Sequence, residues 1–90
     1  MYNVSFYLIG LSSLKSVDFT VSNVSRKDVV TLFAQTTNDI STSFFDAGKF
    51  TLADFICMLL TPVQLLEYDD FISSCPDDNI YFNVLSVQFI

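Results

Sequence analysis

Five carboxylates stand within twelve positions, at Glu67, Asp69, Asp70, Asp77 and Asp78. Acids at that density can trade protons as a pair, hold a hard cation, or present negative charge to a basic surface. Calcium fits poorly, because Cys75-Pro76 interrupts any twelve-residue loop drawn through them and no bidentate Glu follows. Acid–base catalysis lacks its usual companions. The chain has no His, and a Ser or Cys nucleophile would then need Lys or a carboxylate beside it. Lys15, Lys49, Cys57 and Cys75 fall in no such motif. The two cysteines, eighteen positions apart, do not make a zinc site, and two glycines leave no phosphate-cradling loop. The expectation is a non-enzymatic protein with no catalytic residue, no metal and no cofactor.

Presenting charge is what remains. Residues 1–49 carry four acidic and four basic side chains, which cancel. Residues 50–90 carry Asp54, Glu67, Asp69, Asp70, Asp77 and Asp78 with no Lys or Arg, so the whole net charge of -6 lies there. Such one-signed density attracts a basic partner and speeds its arrival; alternatively it only keeps an apolar protein in solution. Direct nucleic-acid binding is not expected, since it depends on clustered cations.

The chain is 51% hydrophobic, with ten Phe and four Tyr among 90 residues, which excludes a disordered tail and predicts a single domain over 1–90. A domain this small leaves part of its apolar surface accessible. Aromatics beside acids make interface anchors, and Tyr68 and Tyr81 are the candidates here. A homodimer would hide the same surface. The longest apolar run, Phe55 to Leu60, is six residues, against roughly 20 for a membrane span. The Phe6–Ile9 stretch has no basic residue before it, unlike a signal peptide. One disulfide at most then points to a reducing, cytoplasmic setting. Cys57 reads as a small core residue and Cys75, beside Pro76 and acids, as exposed; nothing specific recommends a bridge between them.

The elements that must position these residues are legible. Asn3 to Leu11 reads as a strand buried on both faces for part of its length, and Val17 to Val21 alternates as a half-buried strand. Ser25/Asp28, Thr51/Asp54 and Thr61/Gln64 mark three helix starts, the last with Pro62 at the first helical position. The faces predicted for them are Val29, Val30, Leu32 and Phe33; Phe55, Ile56, Leu59 and Leu60; and Leu65, Leu66 and Ile72. A short strand or hairpin is expected within Ser41–Phe50, and Ile80 to Ile90 closes the chain as a long strand. The order ββα(β)ααβ predicts an α+β fold, a small mixed sheet of three to four strands with helices on one face, which buries Phe6, Phe19 and Phe82.

That order loosely resembles the ubiquitin-like β-grasp, as do Ala47-Gly48-Lys49 and Thr51 to Phe55, which look like its third-strand turn and following short helix. The helical stretch from Thr51 to Ser74 and the lack of a terminal Gly-Gly depart from it, so modifier activity is not implied. In type rather than motif, a small acidic domain resembles phage- or mobile-element-encoded inhibitors, including anti-CRISPR proteins and DNA mimics. What that implies is occupation of a basic, nucleic-acid-binding surface of a larger protein. Glu67, Asp69, Asp70, Asp77 and Asp78, with Tyr68 and Tyr81, would make the contact; a homo-oligomeric structural or assembly subunit is the alternative.

Overall fold

The computed structural model describes residues 1–42, 44–45 and 50–90. Along the chain run β1 (Tyr2–Gly10), β2 (Ser16–Val24), α1 (Arg26–Ala34), β3 (Phe44–Phe45), β4 (Phe50–Thr51), α2 (Leu52–Leu59), α3 (Pro62–Ser74) and β5 (Ile80–Phe89). The predicted order is the one found. β1 lies at the centre of a three-stranded sheet, β2-β1-β5, antiparallel to both neighbours.

The period-2 alternation of the strands sends Val4, Phe6 and Leu8, with Phe19, Val21, Ile80 and Phe82, to one enclosed face. The ring of Phe6 meets Phe19 and Phe82 at centroid separations of 5.8 and 5.2 Å. All three rings are buried, as the alternation requires. The other face carries Ser5, Tyr7, Asp18, Thr20 and Asn83, with a Ser5–Thr20 hydroxyl bond of 2.9 Å across the strands. β1 is therefore fully buried on one face only; Tyr7 and Ile9 are half-covered, because the helices lie on the opposite side.

Capping boxes close in both directions at Thr51/Asp54 and Thr61/Gln64, and at Ser25 the side chain accepts from the N–H of Asp28. The predicted helix faces are too wide. Val29, Leu32, Ile56 and Leu60 are buried, while Val30, Phe33 and Leu66 stand in solvent. Adjacent residues sit about 100° apart on a helix, so a short helix on one sheet covers only part of a broad apolar arc. Tyr68 and Phe71 do the inward packing in α3.

β3 and β4 form the expected hairpin, as a separate two-stranded ladder. Its expected turn at Asp46 to Lys49 lies outside the described residues. The β-grasp likeness is thus limited to the hairpin and helix, since this ladder does not join the main sheet and β5 runs antiparallel to β1, where that fold's closing strand is parallel. Residues 37–40 run beside the outer edge of β5 instead. Thr37, at φ 72°, donates its N–H to the Phe82 carbonyl at 2.7 Å, and the Ile40 N–H reaches the Ile80 carbonyl at 2.9 Å. The closing strand is tied in as predicted, through Tyr2↔Phe89 and an Ile90 N–H bond to the Met1 carbonyl. Its end is not buried, however. Val87 is half-covered, and Phe89, on an edge strand with its ring against Tyr2 at 5.2 Å, is 74% exposed.

Candidate functional site

The acidic segment occupies the last turns of α3 and the turn leading into β5. Helical spacing places Glu67 and Asp70 together on the outer side of α3, three residues apart. Asp69 points about 100° away from Asp70, on the flank where it and Asp54 act on Tyr68 and Cys57. Glu67, Asp69, Asp70 and Asp77 are all exposed. Asp77 sits in the turn at φ 59°, a left-handed conformation that Asp tolerates. The five acids therefore run from the middle of α3, on more than one side of it, into the turn after it, not over one flat face.

Asp78 differs from the rest. Its carboxylate accepts the N–H of Ser12 at 2.9 Å through Oδ1 and that of Ser13 at 3.0 Å through Oδ2. These two bonds fasten the β1–β2 loop to the turn after α3, and they hold the Asp78 carboxyl down at about 2. Gly10 lies beneath this clasp. A Cβ there would run into Asp78 Oδ2 and come within 2.7 Å of Ser13 Oγ, so a larger residue would have to displace the clasp. Asp78 thus has a structural task that its position in an acidic run concealed. Lys15 adds to the clasp, donating through Nζ to the Ser74 carbonyl at 3.2 Å, where a cation complements the helix C-terminus.

Tyr68 is a core residue, 8% exposed, and so not the accessible anchor expected of it. Three residues before Phe71, it lies on the inward side of α3. The cysteines are likewise exchanged: Cys75 is buried, Cys57 is half-buried, and both are free thiols. Burial pushes the Tyr68 phenol well above its usual range near 10, with the adjacent Cys57 and the charges of Asp69 and Asp54 adding to the shift. Burial raises the Cys57 thiol also, partly offset by its hydrogen bond with Tyr68. A consequence follows at alkaline pH. Above about pH 10 the unfolded chain ionises this phenol while the folded state keeps its proton, so stability falls as pH rises. Melting temperatures between about pH 9 and 11 should drop more steeply in wild type than in Tyr68→Phe; parallel slopes would refute the assignment.

A cleft of about 290 Å³ opens beside these groups. Ile40, Ala53, Ile72 and Ile80 supply apolar walls, Tyr68 and Cys75 line it further, and Asp39, Asp77 and Asp78 contribute carboxylates. Asp39 belongs to the site although its own segment is charge-balanced, because residues 38–40 lie along β5. Tyr81, half-buried, pairs with Asp39 in that bridge. Only the tertiary fold brings Asp39 to Asp77 and Asp78 at the cleft, and Asp54 to Asp69 around Tyr68. Among the described residues no charged side chain is buried and no cluster of three metal-ligating groups occurs. No described helix is long and apolar enough to cross a membrane. Comparison with protein-family models, curated proteins and solved structures finds no match to the chain.

Proposed function

We propose that this is a non-enzymatic binding protein whose acidic end occupies a basic, nucleic-acid-binding surface of a larger protein. An inhibitor of the phage or mobile-element type, anti-CRISPR-like or DNA-mimic-like, would act this way in the cytoplasm of a host cell. One observation carries the reading. Glu67, Asp69, Asp70 and Asp77 are exposed from the middle of α3 into the turn after it, in a half-chain that has no Lys or Arg, with Lys15 of the β1–β2 loop held at the helix C-terminus. Carboxylates on a rigid helix end and turn can stand where phosphates would in a positive groove. The cleft between them suits a Lys or Arg side chain of the partner, with the aliphatic stem against Ile40, Ile72 and Ile80 and the charged head near Asp39 and Asp77. Tyr81 alternates with Ile80 along β5 and so lies outside the cleft lining, on the other face of the strand.

The test keeps Asp78, which the fold needs, and changes the others: Glu67→Gln, Asp69→Asn, Asp70→Asn and Asp77→Asn together. Exposed changes of this kind typically shift stability by no more than about 0.5 kcal/mol each. The variant should melt close to wild type, while its association with a captured basic partner slows and the salt dependence flattens. Equal affinity across a salt titration, with increased aggregation, would mean that the acids serve solubility alone.

A further inference from the structure

The acidic site uses one end of the sheet, where Gly10 pairs with Ile80. The other end, where Tyr2 pairs with Phe89, has the opposite character. Residues 79–90 contain no charged side chain, and neither do residues 1–14 of the strand beside them. Yet Leu85, Phe89, Ile90 and Met1 are 56, 74, 61 and 58% exposed. Residues 38–40 cover the outer edge of β5 only as far as Phe82. From Asn83 to Phe89 no strand lies on that edge among the described residues.

Natural sheets guard such edges with Lys, Pro or a bulge. This edge has no Lys and no Pro; it has one irregularity, the shift between Ser5 and Phe6 that leaves Leu85 unpaired. Beyond it, Ser86 to Phe89 is regular strand with an open ladder. We propose that this edge is a self-association surface, where β5 pairs antiparallel with β5 of a second copy about a two-fold axis. Charge selects that occupant. Two copies at -6 each repel one another where their acidic segments approach, but far less across a segment that has no charged side chain. A basic partner finds no acidic side chain here to attract it. Antiparallel pairing of one edge with itself is isologous, so a single apolar strand supplies both sides. The two ends of the sheet are eight residue steps apart, on the order of 26 Å, so dimerisation leaves both acidic ends open. The run beyond the bulge is short, so the dimer dissociates on dilution.

Sedimentation equilibrium of the full chain tests this directly. The expected result is a monomer–dimer equilibrium up to about 1 mM, whose dimer fraction rises with salt as repulsion is screened. That salt dependence is opposite in sign to the one expected for the acidic end with a basic partner. Phe89→Glu should raise the dissociation constant at least ~10-fold, since an exposed aromatic anchor is lost and like charges meet. Leu85→Lys provides the same test at the bulge itself. Amide exchange over 86–89 should slow as concentration rises. A chain that stays monomeric throughout overturns the proposal. So does a dimer that survives both variants, or one that Phe33→Glu on α1 disrupts instead.

Discussion

Phe6→Ala is expected to remove about 3–5 kcal/mol of stability, the range for deleting a buried aromatic ring. Phe6 is fully enclosed on the central strand, with β2 on one side and β5 on the other. Its ring contacts Phe19 from β2 and Phe82 from β5, so its loss opens a void where all three strands meet. The neighbours cannot easily collapse into that void, because each is held in register by its own ladder. Domains of this size hold roughly 5–15 kcal/mol in total, so the variant should be partly unfolded at physiological temperature. Urea melts of Phe6→Ala beside Phe33→Ala, whose ring is 55% exposed, give the comparison. The second should lose less than about 1 kcal/mol. Comparable losses would mean that the core is not centred on β1.

Asp78→Ala is expected to have the next largest effect, and its signature is a pH dependence. The substitution removes the acceptor of two loop N–H groups and releases the β1–β2 loop from the turn after α3. In wild type the folded carboxyl is held near 2 against an ordinary value of 3.8, so between these limits the unfolded chain binds more protons. The stabilisation is therefore complete above about pH 4 and disappears as pH falls toward 2. Wild type should lose stability across that window, and Asp78→Ala should lose markedly less. A coupling to Gly10 follows as well. Gly10→Ala should destabilise wild type through the clash with the Asp78 carboxylate, and do so far less once that carboxylate is gone. Additive effects of the two substitutions, or unchanged acid sensitivity, would refute the clasp.

Much of this architecture follows from local rules. Alternation assigned Val17 to Val21 and buried Phe19, because a strand places successive side chains on opposite faces whatever it packs against. The capping pairs at Thr51/Asp54 and Thr61/Gln64 located two helix starts, because the N–H groups they satisfy lie within one turn. The charge split between the halves was also visible without a structure, since it is a property of composition. The errors came where a side chain's neighbour is far away in sequence. Tyr68 and Cys75 stand among acids in the chain but face the core, since the orientation of α3 against the sheet decides their burial. Phe89 belongs to the strand expected to close the sheet, yet it lies on the outer edge and is 74% exposed, which residue type and alternation do not reveal.

Asp78 shows the same division most clearly. By sequence it is one acid among five; its role comes from Ser12 and Ser13, sixty-six and sixty-five residues away. Asp39 reaches the cleft only because the chain turns at Thr37 and runs beside β5. Sequence alone determined the strands, the helix starts, the absence of His and the acidic half, all of which depend on composition or on contacts within a few residues. The tertiary structure decided which acids are free and which is fastened, which aromatics are covered, and which edge of the sheet is open. Those outcomes depend on contacts between distant segments, and a local pattern carries no information about the partner that chain closure will supply.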